Sequence, residues 1–254
     1  ALEQFALHAP EVIESFQKLA KTGCVEFLAE TYAHSLASLS DTDEFERQVR
    51  RHVARMEELF GQKPVTLRNS SLIYSDQIGE RVAAMGFESM LTDGAKHVLG
   101  WKSPNFVYTN VMNPRLKLLL KNSRLSDDLT LRFSDHSWHE WPLTADKYAR
   151  WLKDSTRDRE IVNLFMNYET FGENQLAETG IFEFMRSLPE FIFSTTDFEF
   201  LTPSEAVKKH QPVAPLHVPY PISWADEEKD ITGWLGNELQ NEAFEELFKI
   251  QPKV

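Results

Sequence analysis

Residues 163–175 read NLFMNYETFGENQ, and the reading of this stretch decides the fold. Residues 163–166 are mostly apolar, as expected of a short buried strand. The second half gathers Asn167, Glu169, Thr170 and Gly172 beside Phe171. In parallel α/β barrels the ligand site lies at the carboxyl ends of the strands, so an apolar strand running into polar residues fits a stave whose end faces a ligand. If the strand continues regularly, Asn167 and Glu169 share one of its faces.

Outward from that stretch, apolar strands and amphipathic helices alternate. Residues 10–23 predict a helix that stops at Gly23, followed by a strand over 24–30 carrying Glu26 and Glu30. Residues 43–61 predict the clearest helix: Phe45, Val49, Val53, Met56 and Phe60 form one stripe, Asp41 and Glu44 make a capping box, and Gly61 is the stop. Strands are predicted over 64–70, 87–93, 105–110, 129–135, 160–169 and 191–196. Helices are predicted over 75–86, 144–155, 176–190 and 241–250, with Thr144 as a cap, and 210–221 is a Pro-rich loop. Strands that repeatedly feed helices favour a parallel α/β architecture. Polar groups recur at the predicted strand ends: Glu26 and Glu30, Arg68 to Ser71, Asp93, Arg132 to Asp135, Asn167 to Glu169. In a barrel they would converge on one mouth.

The chain has 254 residues, with 39 acidic against 27 basic side chains and a formal charge of −12. Nucleic acid and anionic membranes are therefore excluded as main partners by repulsion, whereas a neutral ligand such as a sugar is not. The single cysteine, Cys24, rules out an intrachain disulfide and a zinc ribbon, and is expected to be a small buried hydrophobe at a strand start. A reducing, cytoplasmic setting fits that usage. No apolar run reaches the length of a membrane span.

Longer segments carry a resemblance. These are GCVEFLAETYAHS (23–35), TLRNSSLIYSDQIG (66–79), GAKHVLGWKSPNFVY (94–108), LRFSDHSWHEWPLTADKYARWL (131–152), FMNYETFGENQ (165–175) and SWADEEKDITGWLGNELQ (223–240). In order and content they are similar to the α-amylase-like branch of glycoside hydrolase family 57. The resemblance covers essentially the whole chain. It implies an incomplete (β/α)7 barrel over 1–254 as one domain, expected to lack a first strand and a C-terminal helical region. It also implies an α-glucan or maltooligosaccharide as ligand, with no cofactor and no metal; the oligomeric state stays open.

The family hydrolyses with retention, which needs two carboxyl groups about 5–5.5 Å apart. One attacks the anomeric carbon, and the other protonates the leaving oxygen and then deprotonates water. The resemblance puts the nucleophile at Ser71, where the family has Glu, and the acid/base at Asn167, where it has Asp. A hydroxyl without a base is a poor nucleophile, and an amide cannot cycle a proton near neutral pH. The expectation is an α-glucan-acting homologue with little or no hydrolysis. Two alternatives stay open: a working hydrolase or transferase with displaced carboxylates (Glu169, Asp135 or Glu30), and a non-catalytic α-glucan-binding protein. A metal-dependent deacetylase, which shares a similar barrel type, needs an Asp and paired His at the strand ends, and no such trio can be placed in this sequence.

The expected substrate-binding residues are Glu26, Glu30, His34, Arg68, Asp135, Glu169, Asp230 and Trp234. For Glu169 the plainer reading is a hydrogen bond to a sugar hydroxyl rather than a substitute acid. Trp234 could stack on a glucose ring or could simply be core. Trp101, Trp138 and Trp141 fit barrel packing equally well. His136 and His139 have helical metal spacing but no third ligand, so a structural role is expected. The HQP at His210–Pro212 coincides with a family motif in the wrong place.

Overall fold

The computed structural model describes residues 2–40, 42–156, 160–225 and 227–250. The strands are β1 (Thr66–Arg68), β2 (Ser89–Asp93), β3 (Tyr108–Asn110), β4 (Lys117–Lys121) and β5 (Ala214–Leu216). The helices are α1 (Leu2–His8), α2 (Pro10–Ala20), α3 (Thr42–Phe60), α4 (Asp76–Ala84), α5 (Lys96–Leu99), α6 (Ser123–Thr130), α7 (Ala145–Ser155), α8 (Ile181–Thr195), α9 (Pro203–Lys209), α10 (Thr232–Leu235) and α11 (Glu238–Ile250).

The sheet has the order β1-β2-β4-β3-β5. β1, β2 and β4 are parallel, and single parallel bridges extend this arc from Ala29 to Leu67 and from Lys121 to Asn163. Read across the arc, Ala29, β1, β2, β4 and Asn163 follow one another in chain order, with helices on the crossovers. This is how successive staves of a (β/α) barrel are laid down. β3 runs antiparallel beside the amino half of β4 and pairs in parallel with β5, so the arc splays there.

Alternation along the staves sorts the core. Leu67, Met90, Leu118 and Leu120 face outward onto Phe45 and Val49 of α3 and Ile78 and Val82 of α4. The α3 stripe and its Gly61 stop (φ 68) are as expected from the sequence; Asp41 of the capping box lies outside the described residues. Leu91 and Leu119 face inward and cluster with Leu72, Val107, Ile161 and Val207. A further cluster joins α6, α7 and α8, where the Tyr148 hydroxyl donates to the Leu125 carbonyl at 2.8 Å. Gly79 of α4 permits close packing on β3: a Cβ there would lie 2.3 Å from Asn110 Nδ2 and 2.9 Å from the Tyr74 ring.

Several sequence expectations are corrected. Residues 129–135 are not a strand. Asn122 caps Leu125 N at 3.1 Å, and α6 buries Leu125 and Leu129 one turn apart before the chain turns. Residues 191–195 continue α8, because Leu188 and Ile192 prolong its buried stripe through Pro189. Residues 24–30 and 160–169 contribute only the Ala29 and Asn163 bridges rather than ladders. The loop at 210–221 contains β5. Cys24 is exposed, not buried. Finally, the central stave β4, with Leu118 and Leu120 fully buried, carries no strand prediction at all.

Candidate functional site

Alternation also arranges the inner face in layers. At the amino end of the staves, the Thr66 and Ser89 hydroxyls meet at 2.8 Å and Lys117 Nζ donates to the Val207 carbonyl. The apolar cluster forms the middle. At the carboxyl end the inward positions are Arg68 of β1, Asp93 of β2 and Lys121 of β4, with Glu30 beside them. This charged layer is the floor of the mouth.

Its ionic contacts run around the arc. Glu30 Oε1 lies 3.3 Å from Arg68 Nη1, and the His34 ring nitrogen Nδ1 bonds the same carboxylate oxygen. Burial works to raise the Glu30 carboxyl, but the His34 hydrogen bond and the Arg68 charge outweigh it and hold it below the usual carboxylate range. His52, whose Nδ1 accepts from Glu30 N at 3.3 Å, is pushed below the ordinary imidazole value by burial, against the pull of Glu30. Lys121 is 4% exposed and its Nζ pairs with Asp127 Oδ1 at 2.9 Å. Asp93 is 1% exposed; burial pushes its carboxyl up, against Lys121, Lys229 and the Ser123 hydroxyl, which donates at 3.1 Å.

Ser71 sits just past the end of β1 in a locked turn. The buried Asn69 side chain accepts from Ser70 N at 3.0 Å and donates to Ser38 Oγ at 2.7 Å and to the Ile73 carbonyl at 2.9 Å. This clamp holds Ser71 (φ 51) and Leu72 (φ 54) in the left-handed region, an uncommon state for side-chain-bearing residues. Residues 222–224 then run antiparallel to 71–74. Tyr74 and Ile222 exchange backbone bonds, and the Ser71 carbonyl accepts from Trp224 N at 3.1 Å and Ser223 Oγ at 2.9 Å. The Trp224 indole lies over the charged floor, 4.9 Å from the Arg68 guanidinium and 5.2 Å from Lys121 Nζ. Among the described residues no carboxylate or imidazole hydrogen-bonds the Ser71 hydroxyl.

Asn167 stands at the start of a tight 3-10 turn, Tyr168–Thr170, after the Asn163 bridge, and is exposed. The regular strand expected here is therefore absent, and with it the argument that Asn167 and Glu169 share a face. Instead the Asn167 carbonyl accepts from Thr170 N at 3.1 Å, Gly172 adopts φ 106, and buried Gln175 ties the turn to the Thr130 carbonyl. Tyr168 packs edge-on against Phe16 of α2.

The structure thus brings Glu30, His34 and Arg68 together and links them through Trp224 to Ser71. The remaining expected site residues stand apart. Glu26 lies at the opposite, amino end of the staves, where it accepts from Thr66 Oγ1 at 2.6 Å and from Ser204 N at 2.8 Å in the first turn of α9. Asp135 is exposed in the turn after α6, its carboxyl lowered by the Ser137 hydroxyl and backbone. Asp230 accepts from Thr232 N and Oγ1 at the start of α10, and those bonds lower it. Trp234 packs on the outer core, and Glu169 is exposed in the turn. His136 stacks on Trp141 at 4.1 Å. Among the described residues no His, Cys, Asp or Glu group could hold a metal, and no helix is long and apolar enough to cross a membrane.

Sequence reading missed Trp224, Lys121 and Lys229 as mouth residues. The signal for Lys121 was its spacing: in KLLLK the two lysines and the middle leucine share a face, as Ser89, Leu91 and Asp93 do in SMLTD.

The Glu26 contacts lead to a prediction. Glu26→Ala should lower stability by about 1 kcal/mol through lost hydrogen bonds, read as a shift in the urea midpoint, without changing ligand binding at the mouth. Weakened binding at unchanged stability would place Glu26 in the site after all.

A mostly parallel, incompletely closed sheet with helices on its crossovers and charged residues at the strand ends defines an α/β barrel-type protein. Residues 1–219 match the sequence pattern of glycosyl hydrolase family 57, and the chain belongs to that family. A putative alpha-amylase of Methanocaldococcus jannaschii is 45% identical over 239 residues, 93% of this chain and 50% of that protein. The chain therefore spans about half the length of the curated relative it matches. The fold is similar to that of a family 57 branching enzyme of Thermococcus kodakaraensis, with a TM-score of 0.71 at 14% identity over 94% of this chain and 56% of that one. It is also similar to a 4-alpha-glucanotransferase of Thermococcus litoralis, with a TM-score of 0.67 at 16% identity over 88% of this chain and 34% of that one. These likenesses confirm the expected incomplete (β/α)7 barrel.

Proposed function

We propose that the protein is an α-glucan-binding member of the family whose own hydrolysis is weak or absent, with Ser71 and Asn167 in the two catalytic seats. The observation that carries the reading is the chemistry of those seats. Ser71 spends its carbonyl on the 223–224 segment and has no base at its hydroxyl among the described residues, and Asn167 offers an exposed amide. Neither side chain can carry a negative charge or cycle a proton near neutral pH, and lost general acid/base help alone costs about 10²–10⁴ in rate. Glu30, His34 and Arg68 remain as polar partners for sugar hydroxyls. The curated relative named a putative alpha-amylase, together with the glucan-acting names of the solved structures, supports an α-glucan or maltooligosaccharide as the ligand.

The test is turnover on soluble starch and maltooligosaccharides alongside calorimetric titration with the same sugars. Binding with negligible turnover is expected. Robust turnover that survives Glu169→Gln defeats the impaired reading. Turnover abolished by Glu169→Gln or Glu30→Gln supports displaced carboxylates instead. Absence of any binding leaves a purely structural relic.

A further inference from the structure

The mouth holds an occupant of its own. The Trp224 indole rests on the inner apolar cluster of Leu72, Leu91 and Leu119, beside Phe165. Arg68 and Lys121 reach it from the charged layer at 4.9 and 5.2 Å, and their own counter-ions, Glu30 and Asp127, stand behind them at 3.3 and 2.9 Å. An apolar patch ringed by the N–H donors and carboxylate acceptors of the charged layer matches a hexopyranose, with its flat C–H face and its rim of hydroxyls. An indole supplies the flat face but only one N–H. It meets Arg68 and Lys121 through its ring face alone, while their hydrogen bonds go to Glu30 and Asp127.

Resting on the glucan-binding reading above, we propose that Trp224 occupies the seat of one pyranose ring, and that glucan enters this mouth only as the indole turns out of it. The backbone attachment fits such a device. Trp224 N and Ser223 Oγ are both fastened to the Ser71 carbonyl, and Lys229 Nζ holds the Trp224 carbonyl at 2.8 Å. The strap is anchored at its backbone while the half-buried side chain can rotate about its own bonds. Ser71 thereby acts through its carbonyl, as the mooring of the gate. A protein whose binding-competent state is a minor fraction binds more weakly by that fraction, so the gate sets apparent affinity and selects glucans able to displace it.

The test uses 5-fluorotryptophan labelling and ¹⁹F NMR of the 254-residue chain, whose 6 tryptophans include Trp224; Trp224→Phe assigns the resonance. On titration with maltoheptaose the Trp224 resonance should move and saturate at the calorimetric Kd. Trp224→Ala should bind at least about tenfold tighter. If Trp224→Ala fails to fold by circular dichroism, Trp224→Leu, which keeps the apolar floor covered, takes its place with the same expected direction. Weaker binding by the folded variant would make Trp224 a stacking platform and overturn the gate. Binding that moves another tryptophan and leaves Trp224 still would overturn the gate while the glucan-binding reading stands. If the wild type binds no sugar but the folded Trp224 variant does, the gate stands and the reading of the native chain as a glucan binder falls. If neither binds, both fall.

Discussion

Restoring both carboxylates together, Ser71→Glu with Asn167→Asp, should raise maltooligosaccharide hydrolysis at least about 10²-fold over the native chain. The size follows from what each group supplies. A carboxylate at 71 opens the covalent route, and a carboxyl at 167 protonates the leaving oxygen and then activates water. Neither alone completes the cycle, so the single variants should gain little, and the effect should be strongly non-additive. The backbone does not forbid the change. Ser71 already holds φ 51 under the Asn69 clamp, so the strain of a side-chain-bearing residue there is present before Glu is introduced. Ser71→Glu alone offers a sharper probe. With an activated glycosyl fluoride, whose leaving group needs no acid, it should accumulate a covalent glycosyl-protein visible by mass. A doubly restored, folded variant without turnover would mean that the seats at 71 and 167 no longer face one glycosidic bond, and the assignment of catalytic positions would fail.

How much was legible in the sequence depends on where the information was stored. The α3 stripe from Phe45 to Phe60 and its Gly61 stop could be read directly, because helical periodicity is local. The pairing of 129–135 and 191–196 with strands failed for a related reason. Short apolar runs such as LTLRF and FIF fit either period; the cap at Asn122 starts a helix that ends within the first run, and the stripe through Leu188 and Ile192 makes the second run helical. β4 was missed because its alternate lysines were not recognised as an inward face. At the site, Arg68 and Glu30 were found as strand-end polar residues, and they do meet. Glu26 lies too far back along its stave, and its inward side chain reaches the amino end. Trp224 was invisible because its place depends on a contact across 152 residues of chain, the Ser223 bond to the Ser71 carbonyl.

The charged floor itself should be expensive to disturb. Lys121→Met keeps length and apolar bulk but removes a charge that faces both Asp127 and Asp93. Breaking a buried pair by removing one partner costs about 3 kcal/mol or more, since the survivor is left desolvated and uncompensated. The loss should depend on pH in a direction that the Asp93 environment fixes. Burial already raises the Asp93 carboxyl above its ordinary value of 3.8, while Lys121, Lys229 and the Ser123 hydroxyl pull it down and Asp127 pushes it up. Without Lys121 the folded-state value climbs further. Between the unfolded value and that raised one, the folded state binds more protons than the unfolded state, so stability falls as pH rises through the interval and stays lower above it. Glu30, held below the usual range, works the other way: its stabilisation is present above its unfolded value and is lost as pH falls through its folded value. The Lys121→Met deficit should therefore be largest at neutral pH and shrink on acidification through the raised Asp93 value. Glu30 contributes equally to both proteins and cancels in the comparison. Urea midpoints of the two proteins at neutral and mildly acid pH measure this. A deficit that stays constant with pH would remove Asp93 from the account and leave the cost with the Asp127 pair and the packing around Lys121.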